Sequence, residues 1–476
     1  MNALVRLLLV VALAWGCATN PATGRRQLML MSEAEEIQVG RKSDAEIRQQ
    51  MGLYDDPDLQ AYVRAVGTKL ATASHRPDLP WTFAVVDEPA VNAFAVPGGF
   101  IYITRGILPF LRDEAELAGV LGHEVGHVDA RHSAEAYSRQ LGAGVGLAIA
   151  GVLAPSTQPI QGVAGAGLGV LFLRYGREAE LESDRLGVGY AASQGWDPHG
   201  VPGMLSTLAR LDAASGSSRG VPNWALTHPP AADRVARVQE AVAAAPISSG
   251  LTNASTLDRH LDGLVFGDSR EKGIVRGSEF LHPVLRFAVR FPEGWQVSNG
   301  ETQVSARRDG QGNSVMLLEL VQGTGPVRQV ASDQMTKAGW RETDGEAARI
   351  NGLDAYVGTY QGTIENTAVT LHAAHVRAGT QTYVIAGVAP SQEFAASAGL
   401  FEASIRSFRT LTQAEADRIQ PSRVDFRVAR GGDTWESLAR DLGRGIISAS
   451  SLAIMNGRDA SVSPRTGERL RVVVGG

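Results

Sequence analysis

The chain has 476 residues, 44% hydrophobic and 20% charged, with a net charge of −5. That apolar content can fill two or three domain cores and excludes a disordered or fibrous chain, while the mild acidity gives no electrostatic reason for a nucleic-acid partner. One cysteine, Cys17, excludes any disulfide within one chain.

Residues 1–17 (MNALVRLLLVVALAWGC) read as an export signal. Arg6 and the terminal amine precede a short apolar core, Leu7 to Trp15, too short to span a bilayer as a mature helix. Cys17, directly after Gly16, resembles a bacterial lipobox, in which lipid on the cysteine anchors the mature protein. The competing reading is simple cleavage after Ala12-Leu13-Ala14. Both take the protein out of the cytoplasm.

Residues Glu33 to Met51 carry helical spacing, and Pro57 to Ala73 form a clearer amphipathic helix that opens on proline. Trp81 to Val86, Val91 to Val96 and Phe100 to Ile103 read as strands, with Pro97-Gly98-Gly99 turning between the last two. Such a hairpin is either plain core or an edge to which an extended peptide adds as one more strand.

Asp113 and Glu116 then give the capping-box spacing of a helix start, followed by His123-Glu124-Val125-Gly126-His127. Residues four apart on a helix share a face about 6 Å along the axis, so both imidazoles can meet one metal ion. This is the H-E-x-x-H pattern of zinc peptidases, in which the Glu is general base to water on the metal. Two apolar runs follow, 142–154 and 162–173, parted by Pro155 to Pro159. They predict a helical hairpin over the site, a membrane-inserting hairpin being the alternative. Zinc then needs a third protein ligand, which the acidic run Arg177 to Arg185 offers. Glu178, Glu180 and Glu182 are all candidates by chemistry. Asp184 can accept a hydrogen bond from a ligand imidazole and fix its tautomer.

HEVGH followed by Glu180-Leu181-Glu182-Ser183-Asp184 resembles the zinc metallopeptidases related to the type I CAAX prenyl endopeptidase and the heat-shock membrane protease, a gluzincin family with exported bacterial members. The family pattern E-x-x-A-D has Ser183 at its alanine here. The resemblance implies His123, His127 and Glu180 as ligands of one zinc ion per chain, Glu124 as the base, and Asp184 as the carboxylate behind a ligand. Asn92-Ala93-Phe94 resembles the family's substrate-edge strand, and Thr227-His228-Pro229-Pro230 with Arg234 its H-P motif. His228 and Arg234 could donate to the oxygen that gains charge during attack. Alternatively His228 could fill zinc's fourth position and hold the enzyme off. Asn20 to Gln27 (NPATGRRQ) also resembles exported relatives. The other histidines are expected to stay apart. His132, nine residues after His123, lies half a helical turn away, and His372 and His375 point to opposite faces of a strand.

Ser215 to Gly220 reads as a loop and Ala241 to Thr256 as a linker. Strands at 287–291, 315–321, 355–360, 367–376 and 382–388, with helices at 326–339 and 391–407, suggest an α+β domain with one main sheet. Pro292 to Trp295 resembles the opening of small α/β-sandwich domains on exported proteins. The stretch Arg430-Gly431-Gly432-Asp433-Thr434-Trp435 with Asn456, Pro464 and Gly467 resembles a lysin-motif module, which binds cell-wall glycan.

The expectation is therefore a multidomain chain: signal peptide 1–17, a mainly α-helical zincin peptidase domain 18–248 with a small β-hairpin or sheet, an α+β domain 260–412, and a lysin-motif-like module 423–476. Its function is expected to be zinc-dependent hydrolysis of misfolded envelope proteins, with peptidoglycan as a possible partner and the membrane held through Cys17, facing the periplasm. The alternatives are a binding protein with structural zinc and a cell-wall peptide hydrolase.

Overall fold

The computed structural model describes residues 17–138, 175–215, 224, 228, 234–300, 302–308 and 313–476. The signal core 1–16, the apolar runs of 142–173, the loop 216–220 and the partners Thr227, Pro229 and Pro230 of His228 lie outside them. Two compact units result, Met1–Gly267 with Ser422–Gly475, and Asp268–Pro421 with Gly476. No helix among the described residues is long and apolar enough to cross a membrane.

The first unit opens with a hairpin of β1 (Cys17–Thr19) and β2 (Arg26–Leu28). Helix α1 (Glu33–Gln50) starts at a full capping box of Ser32 and Glu35. Helix α2 (Pro57–Thr72) starts at Asp56, which accepts from the Leu59 amide, and buries Leu59, Val63, Val66 and Leu70 at helical spacing. Strands β3 (Thr82–Val86), β4 (Ala93–Val96) and β5 (Phe100–Thr104) make a sheet of order β3-β5-β4, with β3 parallel and β4 antiparallel to β5. The β4–β5 turn needs its glycines, since φ is +82° at Gly98 and +101° at Gly99. β4 is thus an edge strand, and it packs beside the next helix.

That helix, α3 (Glu114–Asp129), is buried along its whole length. Asp113 caps it by accepting from the Glu116 amide at 2.9 Å, but the Glu116 carboxylate turns to the Arg112 amide at 2.7 Å, so the capping box is only half made. After the cap at Ala130, Arg131 adopts φ +60° and a new helical turn runs over 132–138. Helix α4 (Arg177–Ser193) lies against α3 through glycine: a Cβ on Gly187 would stand 2.9 Å from the His123 amide nitrogen. Helices α5 (Gly200–Ser215), α6 (Arg234–Ala243) and α7 (Ala254–Leu261) follow, then β6 (Val265–Phe266). Much of the expected linker is fastened to the start of α3: the Glu114 amide donates to Thr252 O at 2.8 Å, and Asn253 donates to the Glu114 carboxylate at 2.9 Å.

The second unit is β-rich. Strands β7 (Ile274–Arg276), β8 (Glu279–His282) and β9 (Phe287–Arg290) belong to a four-stranded sheet. β10 (Trp295–Asn299), β11 (Gln303–Arg308) and β12 (Val315–Val321) begin a seven-stranded antiparallel one. After α8 (Val327–Lys337), that sheet is completed by β13 (Arg341–Ile350), β14 (Leu353–Ile364), β15 (Thr367–Ala378) and β16 (Gln381–Pro390), in the order β10-β11-β12-β16-β15-β14-β13. The one main sheet read from sequence is therefore two. Helix α9 (Phe394–Arg406), β17 (Arg409–Thr410), which joins the four-stranded sheet, and α10 (Gln413–Arg418) close the unit. α8 covers the face of Leu371 and Ala373, and α9 that of Ala374 and Val376. His375 accordingly meets Gln334 of α8 while His372 meets Glu402 of α9, on opposite faces as strand alternation requires.

The chain then returns to the first unit. β18 (Ser422–Val428) pairs with β6, and, beyond α11 (Trp435–Asp441) and α12 (Ala449–Met455), with β19 (Arg469–Val474). Trp435 is fully buried and donates to Val462 O at 2.8 Å. Arg471 of β19 is buried against the carbonyls of Pro109, Leu111 and Arg112, immediately before α3.

Candidate active site

Burial of α3 carries His123, Glu124 and His127 into the interior with no solvent exposure. The Nε2 atoms of His123 and His127 face each other across 3.0 Å. Glu180 reaches the pair from α4, with Oε2 3.7 Å from His123 Nε2 and Oε1 3.5 Å from His127 Nε2. His228 adds Nδ1, 3.3 Å from His123 Nε2 and 3.1 Å from Glu180 Oε1. One atom from each of these four lies within 4.8 Å of the others. Three ring nitrogens and a carboxylate crowded together in the interior are a poor arrangement for protons and a good one for a divalent cation, and the nitrogen/oxygen set suits zinc.

Behind these groups, His123 Nδ1 lies 2.9 Å from Asp184 Oδ1. Arg234 grips the same carboxylate with Nε at 2.9 Å and an amino group at 2.8 Å, and places its other amino group 2.8 Å from Glu180 Oε2. All three guanidinium nitrogens are thus engaged, which leaves Arg234 clamping the donor set and not facing a substrate carbonyl. Burial raises the Asp184 pKa, but His123 and Arg234 outweigh it and hold the carboxyl below its usual range. Burial pushes the His127 imidazole well below its ordinary value, so the ring is kept neutral.

Glu124 differs from Glu180. Among the described residues neither of its carboxylate oxygens has a hydrogen-bond partner, and His228 Nε2 stands 3.4 Å from Oε1. Burial raises its pKa. The other acids separate clearly: Glu178 is exposed, and Glu182 turns away to Arg25 and His132. Of the expected edge residues, Ala93 and Phe94 are buried, Phe94 stacking on Tyr102 with centroids 5.1 Å apart, and Asn92 Oδ1 accepts from the Ala93 amide at 3.0 Å.

One expectation fails. His132 does not face away: its Nδ1 lies 3.0 Å from His127 Nδ1. The half-turn argument assumed an unbroken helix, whereas the left-handed Arg131 re-aims the chain. Two aromatic neighbours also escaped sequence reasoning. Tyr175 stacks on His127 at 3.9 Å and Trp224 on His228 at 4.2 Å, and neither has a metal-type spacing that could mark it.

A buried histidine–carboxylate cluster beside a glutamate that has no hydrogen bond among the described residues, on a helix bordered by an edge strand, is the donor set of a metal site. The sequence profile of Peptidase family M48 matches residues 57–242. The "Beta-barrel assembly-enhancing protease" of Escherichia coli (strain K12) is 30% identical over 234 residues, 47% of this chain and 47% of its own. The "Mitochondrial metalloendopeptidase OMA1" of Schizosaccharomyces pombe is 35% identical over 181 residues, 38% of this chain and 52% of its own. The chain spans about half the length of the curated relatives it matches. Among solved structures, cyanobacterial PsbP from Synechocystis sp. PCC 6803 covers 29% of this chain and 95% of its own at 13% identity, with a TM-score of 0.24, too low to carry an argument. The matched span holds His123, Glu124, His127, Glu180, His228 and Arg234, so site and sequence likeness agree on a metallopeptidase region.

Proposed function

We propose that this chain hydrolyses peptide bonds of cell-envelope proteins, misfolded ones foremost, from a position facing the periplasm. The observation that carries the chemistry is the four-donor cluster with Glu124 unpartnered at its side. The envelope setting is supported by the export-type N-terminus with Cys17 as its lipid site, and by relatives named for β-barrel assembly. Glycan binding by residues 423–476, where β18 and α11 border a groove of about 690 Å³, belongs to the same reading.

His123, His127 and Glu180 would hold the zinc ion, and His228 Nδ1 lies beside them as the candidate fourth donor. Zinc, when bound, supplies Lewis acidity that polarises a carbonyl and acidifies water. Asp184 and Arg234 fix the His123 tautomer and hold Glu180. The substrate backbone extends along β4. Ladder alternation turns the Ala95 amide outward, because Asn92 O already accepts from the Thr104 amide at 3.0 Å, while the Ala93 amide is held by Asn92 Oδ1. Glu124 takes the proton of the attacking water and passes it to the leaving amine. His228 would move aside to admit substrate, since a working metal site needs an open position.

Glu124→Gln tests this reading. The variant is expected to keep its zinc and lose turnover of unfolded casein by at least about a hundredfold. Equal turnover in variant and wild type refutes the mechanism.

A further inference from the structure

The two histidines of α3 are braced differently. His123 meets a carboxylate directly, through Asp184. Among the described residues, His127 Nδ1 has no acid directly behind it. Ligation through Nε2 leaves its ring proton on Nδ1, and that atom faces His132 Nδ1 at 3.0 Å. The far nitrogen of His132, Nε2, lies 3.5 Å from Glu182 Oε2. Glu182 is in turn held from the N-terminal hairpin, by an ion pair with Arg25 and by Asn20 Nδ2 at 3.4 Å. Asn20 and Gln27 both donate to Ala130 O, at 3.2 and 3.3 Å, fastening the hairpin to the cap of α3. His132, Glu182 and Asn20 are all buried.

We infer that His132 and Glu182 are positioning residues for His127, a relayed counterpart of Asp184, and that the hairpin 17–28 completes the relay. His132 Nδ1 accepts the His127 proton, and its own ring proton, on Nε2, points to the Glu182 carboxylate. An acceptor nitrogen with a carboxylate behind it fixes the tautomer and the orientation of the His127 ring. Ser183 Oγ lies 3.3 Å from His132 Nδ1 and packs against the ring from α4. The Arg131 backbone and the hairpin therefore belong to the metal centre's support, although neither contains a ligand. This inference rests on the metallopeptidase reading.

The experiment is zinc affinity, by competition with a chromophoric chelator, on the full chain. His132→Leu removes the acceptor and His132→Asn restores one, its carboxamide oxygen falling near the place of Nδ1. The expected result is a zinc Kd raised about 10–100-fold in His132→Leu and brought back most of the way in His132→Asn, with smaller rises in Glu182→Gln and Arg25→Ala. The unfolding midpoint of the zinc-free protein is the control for folding. If His132→Leu does not fold, Glu182→Gln carries the test, and a Kd equal to wild type overturns the inference. Zinc bound by His132→Leu as tightly as by wild type also overturns it, as does an equal loss in His132→Leu and His132→Asn. A wild-type chain that binds no zinc is a different failure, that of the metallopeptidase reading itself.

Discussion

Arg471→Met separates a bracing role of the C-terminal segment from that of an independent appendage. The buried guanidinium serves Pro109 O at 3.0 Å, Leu111 O, Arg112 O at 2.9 Å and the Asp258 carboxylate at 2.8 Å. Methionine keeps the packing of the stem and removes every donor. Asp258 retains Arg469 at 2.9 Å, so the loss falls on three carbonyls at about 1 kcal/mol each, about 3 kcal/mol in all. With a urea m-value of about 3 kcal/mol/M, the unfolding midpoint of the first unit should fall by about 1 M. Tryptophan fluorescence follows it, since Trp81, Trp196 and Trp435 belong to that unit. The transition of the second unit should not move. A first-unit shift under about 0.3 M, on the same m-value, refutes the bracing argument. So does an equal shift in both units.

His228→Ala should retain zinc on the remaining three donors and turn over unfolded casein faster than wild type at low substrate. A fall in kcat with zinc retained would instead make His228 an oxyanion donor. In the second unit, burial holds both His282 and His375 down to about 4. Unfolded, each takes its proton near pH 6.5, while folded it stays neutral to about 4, so the stability owed to the neutral form is complete above pH 6.5 and is lost as pH falls toward 4. At pH 5 the loss is about 2 kcal/mol for each. The second unit's urea midpoint should drop between pH 7 and 5, and His375→Gln should remove about half of the drop. A midpoint independent of pH contradicts the assignment.

The parts legible in sequence were those with local periodicity. α1, α2 and the three strands before α3 lie within a few residues of their predicted places, because capping, alternation and the Pro97-Gly98-Gly99 turn are short-range signals. The parallel pairing of β3 with β5 was not legible, since it joins strands separated in sequence by β4. β13 was missed because Arg341 to Ile350 is an almost wholly exposed, charged edge without alternation. In the site, HEVGH declared itself, but the choice of Glu180 over Glu178 and Glu182 came only from resemblance, as three acids at alternate positions look alike until α4 is laid on α3. His132 was misread for one backbone angle at Arg131. The attachment of 422–475 to the first unit was not legible, because the contacts that make it, those of Arg471 and the pairing of β18 with β6 among them, lie far back in the chain.

The central claim is that His123, His127 and Glu180 hold a working zinc ion. It is tested most directly by the metal content of the purified chain, measured together with proteolysis of unfolded casein before and after a zinc chelator. One zinc per chain is predicted, with activity abolished by the chelator and restored by added zinc, and with both lost in His123→Ala. Undiminished proteolysis in the metal-stripped chain, or no zinc in the wild type, would contradict the account.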